Sequence, residues 1–186
     1  MNRKGNGSIF GWPLSKVEGV AHLVTAFGAL LGAVGVILAV VQYFAAQEAE
    51  RASHTLSLID IWETRHYRDD FVALRESAMA FMASVPEEEQ REARENETAR
   101  ANLWAQMRRH VFSVEDAERR FDRVVSFFSR LGLCIEARLC SRETALLFFD
   151  DSVSGFVSFF GPEIEGRQDA MQSYGSGMML LYGARQ

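Results

Sequence analysis

The chain has 186 residues, of which 48% are hydrophobic and 24% are charged, and its formal net charge is −5 at pH 7. Three basic residues and one acidic residue give residues 1–18 a charge of +2, which leaves −7 on the remainder. This negative charge on the rest of the chain argues against nucleic acid as the main partner. The two cysteines, Cys134 and Cys140, do not make a disulfide scaffold and lack zinc-site spacing, so we expect two buried, reduced thiols.

The N-terminal part of the chain predicts a membrane anchor. Residues 1–15 are polar, contain glycine and show no periodicity, as in a flexible tail. Residues 16–47 include VAHLVTAFGALLGAVGVILAVVQYF, from Val20 to Phe44, with no Asp, Glu, Lys or Arg. Roughly 20 such residues span a bilayer as a helix, and lipid requires that backbone polar groups be satisfied internally. We therefore predict one transmembrane helix over 16–47. A signal peptide is the competing interpretation, but the run is long and no small-x-small cleavage site follows.

Three glycines mark one face of the predicted membrane helix. Gly28 and Gly32 form a GxxxG pair, and Gly35 follows one turn later. Small residues at this spacing let two helices approach closely, which favours a homo-oligomer or docking on another membrane subunit. The alternative is that glycine is simply common in membrane helices.

The residues flanking the span indicate its boundaries and leave its orientation contested. Trp12 lies at one edge, and Tyr43 and Phe44 lie at the other, as an aromatic belt at the lipid interface would place them. Three basic residues precede the span and Arg51 follows it, a distribution that mildly favours a cytoplasmic N-terminus. The family resemblance described below implies the opposite, and we expect a cytoplasmic soluble domain.

Residues 48–162 predict a stalk helix that continues from the membrane into a small helical bundle. No Gly or Pro occurs after the span until Pro86, although the weak helix formers of residues 53–55 could break the helix. The apolar residues fall near a 3.6-residue period. This predicted stripe comprises Leu56, Ile59, Trp62, Phe71, Leu74, Ala78 and Phe81.

Capping and breaking residues divide the remainder of the bundle into helices. The glutamate- and arginine-rich segment 87–100 predicts a solvated helix, and no segment shows a strand pattern, so the fold class is all-α. Helix starts are predicted near Ser84, Ser113 and Ser141, from the capping residues found there. Helix ends are predicted at Gly132 and at Gly161–Pro162.

The C-terminal tail, residues 163–186, carries a short apolar group between glycines. Two outcomes are open: the group folds back on the domain, which we prefer, or it contacts a partner or the membrane surface. The residues that would make this contact are Met178, Met179, Leu180, Leu181 and Tyr182.

The segment VVSFFSRLGLCIEARLCSRETALLFFDDSVSGFVSFFGPEI carries a resemblance to a known family. An aromatic pair and a Leu-Gly turn lead to a short apolar link, then to a capped helix that ends in aromatic residues and Gly-Pro. With the N-terminal span, this resembles a bacterial family of single-span, membrane-anchored helical proteins of unknown function. The resemblance covers about residues 20–165, most specifically 121–162. It implies no catalytic residue and no ligand.

The sequence contains one candidate metal site and no candidate acid–base pair. Glu63 and His66 have the Glu-x-x-His spacing of di-iron helical bundles, but such a site needs a second copy and further carboxylates. Asp150 and Asp151 are adjacent, so on a helix they diverge and do not form an acid–base pair. We therefore expect no catalytic residue, metal or cofactor.

These patterns lead to three functional hypotheses. The first is a non-catalytic interaction or scaffold protein in the bacterial inner membrane, contacting lipid and associating through the Gly28/Gly32 face. The second is an accessory subunit of a larger bacterial membrane complex. The third, which the sequence supports least, is an enzyme with a metal at Glu63 and His66.

Overall fold

A computed structural model describes the backbone of residues 8–9 and 12–183 and the side chains of residues 27–183. It confirms an all-α architecture with a long N-terminal helix followed by a helical bundle. A minimal antiparallel pair, β1 (Ser8–Ile9) and β2 (Trp12–Pro13), precedes the helices. The helices are α1 (Leu14–Thr64), α2 (Tyr67–Ser84), α3 (Glu87–Glu95), α4 (Glu97–Ser113), α5 (Ala117–Glu136), α6 (Arg142–Ala170) and α7 (Ser176–Gly183). Two compact units result, Met1–Glu48 and Ala49–Gln186.

Helix α1 runs without a break through residues 53–55, where the sequence suggested a possible interruption. Thr55 is fully buried, and its hydroxyl donates to the carbonyl of Arg51 at 3.0 Å. It also accepts a hydrogen bond from the backbone N–H of Ser141 at 2.9 Å. Tertiary hydrogen bonds therefore outweigh the weak local helix propensity here. The predicted stripe is shifted in phase as well, since Leu56 is 51% exposed while Leu58 contacts the core.

The corner between α1 and α2 is held by one arginine of α5. His66 adopts the left-handed conformation, with φ of 61°, which ends α1 and redirects the chain. The guanidinium of Arg123 donates to the carbonyl of Arg65 at 2.6 Å and pairs with Asp70 at 3.1 Å. It also lies 5.1 Å from the ring centroid of Tyr67. The break thus occurs about ten residues later than the weak helix formers indicated.

The core of the second unit is built around α5 and is rich in aromatic rings. Phe121, Phe128 and Leu131 are completely buried, and Trp62 from α1 lies 4.8 Å from Phe127 between ring centroids. These large side chains supply most of the apolar area that leaves water on folding. The remaining predicted stripe residues, from Ile59 to Phe81, are buried or partly buried.

Helix α6 continues through Gly161 and Pro162, so the predicted end at that dipeptide is wrong. Phe160, Gly161 and Ile164 are all buried, so the helix buries apolar surface on both sides of the proline. This packing offsets the lost hydrogen bond and the steric cost of an internal proline. The guanidinium of Arg108 donates to the nearby carbonyl of Phe159 at 3.3 Å.

The prediction that Gly132 ends a helix is also wrong. Gly132 lies inside α5 and is buried where α7 crosses it, and a Cβ atom there would overlap the carbonyl oxygen of Gly177. A Cβ atom on Gly177 would in turn overlap the carbonyl of Ser129. Both glycines therefore permit a close approach of two backbones.

The helix breaks predicted near Ser84, Ser113 and Ser141 are confirmed, since new helices begin at Glu87, Ala117 and Arg142, but only Ser141 is a capping residue. Ser141 caps α6 by accepting from the N–H of Thr144 at 3.4 Å. Ser84 and Ser113 instead donate to carbonyls of the preceding helix turns, at Phe81 and His110. The acidic segment forms α3 and the start of α4, separated by Asn96, whose side chain caps α4 by accepting from Thr98 and Ala99.

Candidate functional site

The most unusual surface of the described chain is the apolar part of α1. From residue 27 to residue 46 every side chain is exposed. The most apolar 18 residues of this part of α1 have a mean hydropathy of 2.2. Among the described residues this is the one helix long and apolar enough to cross a membrane. A signal sequence near an N-terminus passes the same test of length and composition. So continuous an apolar surface is costly in water and requires lipid or a protein to cover it.

The glycines predicted to mediate helix association lie on this exposed surface. A Cβ atom built on Gly28, Gly32 or Gly35 would contact nothing within 4 Å. Their spacing places all three on one face of α1. The described chain thus leaves open the narrow face that a second helix would use. At the end of the stretch, Tyr43 and Phe44 are exposed, and the side chain of Trp12 lies outside the described residues.

A second surface, which the sequence analysis missed, is an apolar groove between α2 and α6. We call it the α2–α6 groove, and its volume is about 580 Å3. Its α2 wall consists of Phe71, Arg75, Ala78, Met79 and Met82. Its α6 wall consists of Asp151, Ser152, Gly155, Phe156, Phe159 and Phe160. Leu74 and Met107 complete the lining. The sequence signal that could have indicated this groove is the set of small residues Ala78, Ser152 and Gly155 among the bulky apolar residues of α2 and α6.

Two charged residues lie on opposite walls of the α2–α6 groove. Arg75 and Asp151 are both exposed, and neither forms a hydrogen bond or an ion pair with another residue of the described range 27–183. The rest of the lining is almost entirely apolar. The groove therefore has the composition of a binding site for an apolar ligand with a few orienting polar groups.

A cluster of polar residues around Arg167 has a structural explanation. The guanidinium of Arg167 donates to Asp122 of α5 and to Glu163, and it lies over the ring of Phe121 at 4.8 Å. The hydroxyl of Tyr174 donates to the same carboxylate of Asp122. Burial and this hydrogen bond raise the pKa of Tyr174 well above its usual value of 10. These hydrogen bonds hold the loop before α7, which contains Tyr174, against α5.

The structure uses Glu63 and His66 separately. Glu63 accepts from Arg68 at 3.0 Å, and His66 pairs with Asp69 at 2.7 Å. In the described residues, no group of three or more histidine, cysteine, aspartate or glutamate side chains could hold a metal ion. The di-iron spacing therefore corresponds here to an exposed ion pair of Glu63 and an exposed hydrogen bond of His66 at the corner between α1 and α2.

The expectation of two reduced thiols is wrong, because Cys134 and Cys140 form a disulfide. Their Cα atoms are 5.3 Å apart, within the range that a disulfide requires. Arg138, in the left-handed conformation, folds the intervening turn back so that the two cysteines meet. The prediction of reduced thiols rested on the number and spacing of the cysteines alone, and no glycine between them indicates the left-handed turn at Arg138.

The tail residues proposed as a partner contact are divided between the core and the surface. Met178 and Leu181 are buried in the bundle, and Met179 and Tyr182 contact it while partly exposed. Leu180 is exposed. The tail therefore folds back on the domain, as preferred. No family model, no curated protein and no solved structure matches the chain.

Proposed function

We propose that this protein is a membrane-anchored, non-catalytic interaction module. In this proposal the apolar stretch of α1 spans the bilayer once, and the helical unit 49–186 serves as a binding domain. The observation that carries the proposal is the uncharged, fully exposed surface between Phe27 and Phe44, which lipid would cover. The proposed location is the bacterial inner membrane, as the family resemblance implies.

Extraction at alkaline pH tests the anchor. Vesicles that contain the full chain are washed with carbonate, and an integral protein stays in the pellet. Intact mass of the retained protein distinguishes an anchor from a removed signal peptide, because only an anchor keeps the stretch from Val20 to Phe44. Release by carbonate, or a mature chain that begins after Phe44, would contradict the proposal.

The face formed by Gly28, Gly32 and Gly35 is the proposed site of helix association. The open space around these glycines supports this assignment, because a second backbone could approach there without displacing a side chain. Either a second copy of the chain or a helix of another membrane subunit would fit. The latter is the alternative function, an accessory subunit of a larger complex.

Substitution of the glycines tests this face. The variant Gly28→Ile/Gly32→Ile should convert a detergent-solubilised dimer to a monomer, measured by light scattering. Ala33→Ile is the matched control, since it adds similar bulk on a different side of α1. Unchanged association in the double variant would remove the glycine face from the proposal. Co-purification of stoichiometric foreign chains, lost in the same variant, would favour the accessory-subunit function.

A further inference from the structure

The α2–α6 groove has the dimensions of a site for one helix. Its α2 wall extends from Phe71 to Met82, which corresponds to about 16 Å or three helical turns at 1.5 Å per residue. The groove axis is unobstructed at Gly155, where a Cβ atom would contact nothing within 4 Å. Ala78 and Ser152 add further small residues to the walls. The apolar side chains on one face of a three-turn helix would occupy this space.

The lining is chemically suited to an adaptable apolar partner. Three of the seven methionines of the chain, Met79, Met82 and Met107, line the groove. Methionine is unbranched and polarizable, so it adjusts to differently shaped apolar side chains. Met79 is 58% exposed, so this apolar surface is available from solvent. Grooves of this type bind amphipathic helices through residues spaced three and four positions apart.

The two charges on the groove walls decide which kind of occupant fits. A single alkyl chain with a carboxylate could pair with Arg75, but its charge would be repelled by Asp151 on the opposite wall. An amphipathic helix can place an acidic residue beside Arg75 and a basic residue beside Asp151, one on each edge of its apolar face. A helix can therefore give a charged partner to both Arg75 and Asp151, whereas an alkyl acid can pair only with Arg75.

We propose that the α2–α6 groove binds one amphipathic helix of a partner protein. The helix is about three turns long, with aliphatic residues on its buried face, acidic residues on the Arg75 edge and basic residues on the Asp151 edge. This inference goes beyond the proposed membrane anchor and does not depend on which side of the membrane the domain occupies.

A labelled peptide tests the groove directly. The full chain is reconstituted in lipid nanodiscs and titrated against a fluorescent amphipathic peptide of about four turns, with leucines at helical spacing, glutamates on one edge and lysines on the other. Fluorescence anisotropy should show saturable binding above that to empty nanodiscs. Gly155→Leu and Met79→Asp should each weaken it at least tenfold. Leu147→Asp is the matched control, because Leu147 is 82% exposed on α6 outside the groove, and it should leave binding unchanged.

The charge assignment has its own test. The variant Arg75→Glu/Asp151→Lys should bind the original peptide more weakly and should prefer a peptide with its charged edges exchanged. Circular dichroism establishes that each variant keeps its helical content. Binding that Gly155→Leu does not alter, absence of saturable binding by either peptide, or tighter binding of a dansylated alkyl acid than of the peptide would overturn the proposal.

The disulfide carries a separate inference about sidedness, which rests on the proposed anchor. Disulfides persist in oxidising compartments and are rare where glutathione and thioredoxin keep thiols reduced. The Cys134–Cys140 bond therefore favours an oxidising environment for the helical domain.

The charges around the apolar stretch point independently to the same orientation. Arg3, Lys4 and Lys16 precede it, whereas residues 45–64 contain only Arg51 among lysines and arginines. Basic residues are retained on the cytoplasmic side of a span. We infer that residues 1–19 lie in the cytoplasm and that the domain from Ala49 onward lies on the oxidising side. This replaces the cytoplasmic domain expected from the family resemblance.

Protease protection and thiol trapping test this orientation together. In intact spheroplasts of a bacterial expression host, an added protease should digest the C-terminal domain. Acid-quenched protein should react with maleimide-polyethylene glycol only after reduction, and then at two positions. The variant Cys134→Ser/Cys140→Ser should remain protease-accessible, because its anchor is unchanged. A protected domain or two free thiols in quenched, carbonate-resistant protein would overturn the orientation, whereas release by carbonate would contradict the anchor itself.

Discussion

Two sets of glycines in this chain show how the same residue type serves opposite environments. At the crossing of α5 and α7, Gly132 and Gly177 are in direct backbone contact, and neither position has space for a Cβ atom. On α1, Gly28 and Gly32 have nothing within 4 Å of the corresponding position. The first pair is satisfied within the chain, whereas the second pair is open to an external helix. The difference separates glycines required for folding from glycines available for association.

The largest expected effect is at the crossing of α5 and α7. Gly132→Ala or Gly177→Ala should lower the free energy of unfolding by about 3 kcal/mol or more, because the added methyl group overlaps a backbone carbonyl that cannot rotate away. Thermal unfolding followed by circular dichroism in nanodiscs measures the change. Gly166→Ala is the matched control, because Gly166 lies within α6 with no packed neighbour near its Cβ position and no proline after it. Comparable melting of Gly132→Ala and Gly166→Ala would contradict the close crossing.

The next largest loss of stability is expected on truncation of a buried side chain of α7, in the C-terminal tail. Met178→Ala should cost about 2–4 kcal/mol of unfolding free energy, since Met178 is fully buried and its removal leaves a cavity. Leu180→Ala is the control two residues later, and its exposed side chain should contribute less than about 0.5 kcal/mol. The same unfolding assay measures both. Equal losses at the two positions would show that α7 presents a different face to the bundle.

The crossing also illustrates what the sequence could and could not predict. The all-α class and the apolar helix follow from periodicity and composition, which are local properties, whereas the sequence left the fold-back of the tail as one of two outcomes. Gly132 and Gly161 carry similar local signals for a helix end, yet both lie inside helices: α7 packs against Gly132, and the buried side chains of Phe160 and Ile164 hold α6 in place on either side of Gly161. Tertiary contacts override such signals, and they are invisible along the chain.

The candidate sites were partly predictable for the same reason. Gly28, Gly32 and Gly35 share one face of α1 by their spacing alone, and their role in helix association stays a prediction, because every side of this stretch is exposed. The α2–α6 groove joins residues more than 70 positions apart, from Arg75 to Asp151, so no motif announces it. The disulfide also depends on a left-handed turn at Arg138, where no glycine or asparagine indicates it.

A smaller effect is expected where the loop before α7 is fastened to α5. Tyr174→Phe should cost about 1 kcal/mol, because it removes the hydrogen bond to Asp122 and keeps the ring. The pKa of Tyr174 is raised in the folded state, so its contribution is complete below pH 10 and is lost as pH rises further. The stability difference between wild type and Tyr174→Phe should therefore shrink above pH 10. A difference that does not depend on pH would contradict the raised pKa.

The smallest effect on domain stability is expected at the open glycines of α1. Gly32→Ala should change the unfolding of the helical domain by less than about 0.5 kcal/mol, since the new methyl group contacts nothing and alanine favours a helix. Circular dichroism melts in nanodiscs measure this change, and light scattering in detergent measures association of the same variant. A face used for close helix contact should lose association while the melt stays constant. If the melt falls by as much as in Gly132→Ala, then Gly32 is packed within the chain, and the distinction between the two sets of glycines fails.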